Sequence, residues 1–144
     1  MKNYMSILVA VDLNLKEDEE LILKALKLAK NSDAKVYIVH VVDTAGNYGM
    51  ASPQILLDSI ENNQSNARKV LSELGARFEI PKESQIVKVG LVKEVIVDLV
   101  KNINADLLLM GNHGRHGILA SFIYNNTVNL VKNVDCDMIA VWVA

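Results

Sequence analysis

Gly111, Gly114 and Gly117 recur at three-residue intervals in the stretch Leu107-Leu108-Leu109-Met110-Gly111-Asn112-His113-Gly114-Arg115-His116-Gly117. An apolar run stops at the first glycine, and polar or cationic side chains fill the gaps. A buried strand ending in such a loop, with a helix after it, aims backbone N–H groups at an anion such as phosphate. Arg115 suits a phosphate because its guanidinium pairs bidentately. Its plain alternative is an exposed solubilising charge. His113 and His116 are able to donate to phosphate oxygens, or to join His40 or Cys136 at a metal, or to serve no role on a surface loop. No carboxylate spacing supports a metal, so none is assigned. No Ser/His/Asp or Cys/His constellation stands out, and no catalytic residue is assigned.

A loop of this kind needs strands and helices to hold it. Met5–Val11 (MSILVAV) is apolar, β-branched and too short for a helix, which predicts a buried strand ending at Asp12. Residues 14–30 form a helical pattern, with Ile22, Ala25, Leu26 and Ala29 as its apolar stripe. Acidic Glu17, Asp18, Glu19 and Glu20 lead it and Lys24, Lys27 and Lys30 close it, matching the macrodipole. Those charges read as a solvated face. Lys35–Val42 is a nearly continuous apolar strand, as expected at the centre of a sheet covered on both faces.

Residues 43–51 read as a surface loop. Ser52 and Pro53 supply an N-cap and a first-turn proline for a helix to about Phe78, with Gly75 weakening its end. A strand over 84–89 ended by Gly90, a helix over 93–103, a strand over 106–110, a helix over 121–131 and a strand over 138–143 complete the pattern. Such alternation predicts one α/β domain spanning 1–144, a parallel sheet with helices on both faces.

The composition agrees. In 144 residues, 51% are hydrophobic and 22% charged, an ordinary globular balance that suffices for one core. A net charge of −2 and few aromatics offer neither an attractive field nor a stacking surface for nucleic acid. No apolar run reaches membrane-spanning length and no signal-peptide pattern opens the chain. Cys136 is the sole cysteine and reads as a packed thiol at a strand start. These features point to a cytoplasmic protein.

Four segments, in order and at their spacing, resemble the universal stress protein family over nearly the whole chain. They are Ile7-Leu8-Val9-Ala10-Val11-Asp12, Val39-His40-Val41, Gly111-Asn112-His113-Gly114 and Asp135-Cys136-Asp137-Met138-Ile139-Ala140-Val141. The resemblance implies a Rossmann-like sheet of the adenine-nucleotide alpha-hydrolase-like kind, order 3-2-1-4-5, with ligands outside the carboxyl ends of the first and fourth strands. It also implies which residues would meet an adenine nucleotide: Ala10, Val11, Asp12, Val41, Met110, Gly111, His113, Gly114, Arg115, Asn125 and Asn126. Asp12 would touch a ribose hydroxyl or a phosphate-bound Mg²⁺, or else cap the next turn. Val41 would offer backbone groups to adenine.

The nucleotide-binding branch of that family carries Gly-x-x-Gly, nine residues, then Gly-Ser or Gly-Thr. Gly111 and Gly114 match the first half, whereas the second half falls on Tyr124-Asn125. Tyr124 puts a ring where the helix N-terminus should approach the phosphates without a side chain. A second branch lacks the motif, and Asn126-Thr127-Val128 and the Val-Asp-Cys-Asp-Met-Ile ending resemble it. Family members commonly dimerise through the last strand, which here carries Val141, Trp142 and Val143. His113-Gly114-Arg115-His116 is faintly similar to the nucleotidyltransferase histidine motif, but that motif follows the first strand. A response-regulator receiver lacks its acidic residues here, since Leu13 follows Asp12 and the third strand ends Val89-Gly90.

The resemblance thus implies a homodimeric cytoplasmic stress-response protein with a degenerate nucleotide crevice, no required cofactor and no assigned turnover. Two alternatives stay open. One is an ATP- or AMP-binding switch with slow Mg²⁺-dependent hydrolysis, and the other is a module that only meets an unknown protein partner.

Overall fold

The first strand explains why the sheet is buried on both sides. β1 (Ser6–Ala10) has Ile7, Leu8 and Val9 without exposed surface, so successive residues face two different cores. The computed structural model describes residues 3–44, 52–112 and 134–142. Within them follow α1 (Leu15–Ala29), β2 (Lys35–Asp43), α2 (Pro53–Phe78), a 3₁₀ turn (Lys82–Ser84), β3 (Gln85–Gly90), α3 (Val92–Asn102), β4 (Leu107–Asn112) and β5 (Asp137–Trp142). The expected helix over 121–131 and residues 45–51 of the expected loop lie outside the described residues. No described helix is long and apolar enough to cross a membrane.

The five strands pair in parallel in the order β3-β2-β1-β4-β5, as the resemblance implies. Ile7, Val9 and Val11 with Leu107 and Leu109 pack under α1 and α2, against Leu21, Ile22, Ala25, Leu71 and Leu74. Leu8, Ala10, Leu108 and Met110 pack under α3, against Ile96, Leu99 and Val100. Each large side chain so buried contributes about 1.5–3 kcal/mol relative to exposure. The unbroken apolar runs of β1 and β4 are the sequence form of this two-sided burial.

The helix ends follow local chemistry. Asn14 accepts the Glu17 N–H and starts α1, while Ser52 accepts the Ile55 N–H at 3.3 Å and Pro53 takes the first position of α2. α2 ends as Glu79 turns left-handed at φ 56°, with Ile80 N–H on Gly75 O at 2.9 Å. Several boundaries differ from expectation by a residue or two, and two of the differences have a plain cause. β3 includes Gly90, whose φ of 152° strains any other residue. β4 continues through Gly111 and Asn112, because β5 still pairs with both, through Val141 and Trp142. Cys136 is half-buried and packs against the α3-side core.

Candidate functional site

β1 and β4 are neighbours, yet β1 continues outward through β2 and β4 through β5. Winding reverses between them, which leaves a crevice beyond their carboxyl ends. Ala10 pairs with Met110, so Asp12 and Gly111 emerge within two residues of that pair. Asp12 and Asn112 are half-buried at the mouth, and Gly111 is buried between β1 and β5. The side chains of Ala10, Val11, Val41 and Met110 are at most 5% exposed and belong to the cores. They form the floor, so contact with a ligand there falls on backbone. His113, Gly114, Arg115, Tyr124, Asn125, Asn126 and Val143 lie outside the described residues, as does His116.

The polypeptide leaves β1 under tight control. The Val11 N–H donates to Val39 O at 2.9 Å, continuing the ladder by one residue. His40 Nδ1 lies 2.8 Å from Val11 O; a carbonyl only accepts, so Nδ1 carries the proton. The Asp12 N–H donates to Asp18 Oδ1 at 3.1 Å. One peptide, Val11–Asp12, is thus held at its oxygen from β2 and at its nitrogen from α1. Leu13 follows at φ 64°, a left-handed conformation that costs a leucine about 1 kcal/mol or more. The Asn14 side chain caps α1, the role left open for Asp12.

Asp18 corrects the reading of the acidic run as a solvated face. It is 1% exposed, and its Oδ2 has no hydrogen-bond partner among the described residues. Burial pushes its carboxyl up to about 7, and the charges of Asp12 and Glu17 add to this, against the opposing backbone bonds from Asp12 and Leu13. A signal for it was present in the sequence. Asp18 lies three and four residues before Leu21 and Ile22, so it extends the apolar stripe of α1 by one turn. The sequence offers His40 as a metal partner and as part of the segment Val39-His40-Val41; its place in the second half of β2 is what brings it to Val11.

At the far edge, Val141 packs toward the α1 and α2 core and Trp142 is 72% exposed. β5 pairs with β4 alone among the described residues and is an edge of the sheet.

A sequence model of the universal stress protein family matches residues 3–141. Universal stress protein A homolog 2 of Coxiella burnetii is 37% identical over 143 residues, covering 98% of this chain and 97% of the relative. Among solved structures, a universal stress protein in complex with cAMP superposes with a TM-score of 0.66 at 19% identity, covering 98% of each chain. A universal stress protein family protein of Arabidopsis thaliana with AMP bound superposes with a TM-score of 0.63 at 20% identity, covering 97% of this chain and 92% of the other. The structural likenesses bear on the fold, while the family model and the bacterial relative bear on descent. The chain belongs to the universal stress protein family.

Proposed function

We propose that this protein is a cytoplasmic, homodimeric stress-response module whose β1/β4 crevice takes an adenine nucleotide carrying one phosphate, AMP or cAMP, in preference to ATP. The observation that carries this reading is the crevice itself. A carboxylate-bearing residue, Asp12, and a buried strand glycine, Gly111, stand at the reversal of winding, beside a floor of closed apolar side chains. The fold neighbours solved with cAMP and with AMP support the ligand class. The sequence supports the phosphate count. Gly111 and Gly114 offer half of a phosphate cradle, and Tyr124 replaces the glycine that a triphosphate tail needs. Arg115 and Asn125 are the residues assigned to one phosphate, and Asn126, beside them, to the same group.

No turnover is assigned and no cofactor is required. Binding would instead alter the module's encounter with a protein partner. Dimerisation is assigned to β5 through Val141, Trp142 and Val143, because an exposed tryptophan on an edge strand needs cover.

Thermal unfolding with AMP, cAMP and Mg-ATP tests the reading. Ligand at a hundred times its dissociation constant stabilises by about 2.7 kcal/mol. AMP or cAMP raises the midpoint and Mg-ATP does not, whereas Tyr124→Gly gains a response to Mg-ATP. No shift with any nucleotide at millimolar concentration refutes nucleotide binding and leaves the interaction module. A shift with Mg-ATP alone refutes the one-phosphate preference in favour of the Mg²⁺-dependent switch.

A further inference from the structure

We propose that Asp18 and His40 are positioning residues for the crevice, which together clamp the Val11–Asp12 peptide and so fix the backbone from which the Asp12 side chain departs. This deepens the nucleotide reading and rests on it.

The geometry is specific to one peptide. Asp18 Oδ1 receives its N–H at 3.1 Å and His40 Nδ1 donates to its C=O at 2.8 Å. The two side chains come from different elements, α1 and β2, and meet the two ends of the same peptide. Among the described residues no regular ladder holds both ends of this peptide. The last hydrogen bond of β1 toward β2 is Val11 N–H to Val39 O, and the chain turns at Leu13. A leucine at φ 64° does not hold itself there, so its conformation needs restraint from neighbours. The clamp is that restraint, placed one peptide before the turn.

Burying a carboxylate is costly, and a neutral helix residue at position 18 would complete the stripe of α1 without that cost. Asp18 is retained at 1% exposure with one oxygen unpartnered among the described residues, and its other oxygen is on Asp12. Its geometric yield is therefore the placement of Asp12 and of Leu13, whose backbone also bonds to it. His40 has the complementary logic. Its ring is half-buried, and Nδ1 is spent on the carbonyl of Val11, one residue beyond β1.

The test compares deletion with conservative replacement in the full chain. Asp18→Asn keeps an acceptor oxygen in the place of Oδ1, and His40→Asn keeps an N–H donor as many bonds from the backbone as Nδ1. Asp18→Ala and His40→Leu keep neither. Two readouts are taken: amide hydrogen exchange of Asp12 without nucleotide, and the affinity for AMP. The Ala and Leu variants should speed Asp12 exchange and weaken AMP about tenfold, while both Asn variants stay within about threefold of wild type.

Wild-type exchange and affinity in the deletion variants overturn the proposal. Equal losses in the Asn and deletion variants also overturn it, since they would mark a role in packing or charge alone. Faster exchange with unchanged AMP affinity severs the clamp from the site and overturns it too. If Asp18→Ala fails to fold, the His40 pair and Asp18→Asn decide by the same criteria. A wild-type chain that binds no AMP or cAMP overturns the nucleotide reading and this inference with it; a wild-type chain that binds, with insensitive variants, overturns this inference alone.

Discussion

Asp106 and Ser6, a hundred residues apart, are hydrogen-bonded reciprocally: the Asp106 N–H donates to Ser6 O at 2.9 Å, and its Oδ1 accepts the Ser6 N–H at 3.1 Å. Oδ2 accepts the Met5 N–H at 2.9 Å. This junction starts the β1–β4 pairing one step before Ile7 meets Leu107. It thereby sets which residues face each other at the other end of the strands, where Asp12 and Gly111 flank the crevice. A slip by one residue would turn every side chain of β1 to the wrong core. Asp106→Ala leaves two backbone donors without their carboxylate and is expected to cost about 1–3 kcal/mol. Urea unfolding measures it. Asp106→Asn, which keeps acceptor capacity on one oxygen, should lose less.

Gly75 shows a different dependence on a partner. A Cβ there would fall on the amide nitrogen of Gln85 and lie 3.0 Å from Ile80 O. That amide donates to Ile80 O at 3.0 Å, closing the turn after α2. Alanine in a helix interior ordinarily gains up to about 1 kcal/mol over glycine. Here Gly75→Ala displaces Gln85 and crowds a backbone oxygen, so a net loss of about 1 kcal/mol is expected. In a Gln85→Ala background the same substitution should cost measurably less. A double-mutant cycle by chemical denaturation checks the coupling.

Glu79 ends α2 at φ 56° and is exposed, with no side-chain packing to lose. Glu79→Gly removes the left-handed strain at this cap and is expected to stabilise by about 0.5–1 kcal/mol. Equilibrium unfolding with a raised midpoint and unchanged slope is the expected result. A lowered midpoint would show that the glutamate contributes something other than cap geometry.

The fold was legible where burial writes a long signal. Uninterrupted apolar runs gave β1, β2 and β4, and Ser52 and Pro53 marked a helix start that the structure keeps. What escaped depends on contacts between distant residues. Gly75 reads as a weak helix position, because its partner Gln85 meets it only after the chain turns. Gly111 reads as the end of a strand, because β5, which extends the pairing, comes 26 residues later. Asp18 reads as one more surface acid, because its spacing to Leu21 and Ile22 is outweighed by three acidic neighbours. The crevice was legible through Asp12 and the strand order that the family resemblance implies. The clamp that holds Asp12 was not, since it joins β2 and α1 through side chains that propensity does not relate.

Asp18 also gives folding a pH dependence of unusual sign. Its carboxyl goes from 3.8 in the unfolded chain to about 7 in the fold, raised by burial. Between these values the native state holds a proton that the unfolded state has lost, so the slope of stability with pH is negative there. The contribution is greatest below about pH 4, declines as pH rises to about 7, and is flat above. Its full size is at most about 4 kcal/mol. Asp18→Asn removes the titration, so wild type should lose more stability than the variant between pH 5 and pH 8. Urea midpoints at both values measure this difference, and parallel losses in the two proteins would contradict it.

Trp142 separates association from folding. It is 72% exposed, and the strand that carries it pairs on one side through Asn112 and Gly111. Val141, its neighbour, is turned inward to the α1 and α2 core, so the two residues answer to different forces. Trp142→Glu places a charge where the proposed dimer needs an apolar contact, at a residue that joins neither core among the described residues. Sedimentation equilibrium should show a monomer, with far-UV circular dichroism unchanged. Val141→Glu should in addition lower thermal stability, by setting an unpaired charge against the α1 and α2 core. A dimer that survives Trp142→Glu would remove β5 as the interface, because a charge at the centre of a contact of this kind is not tolerated without a partner.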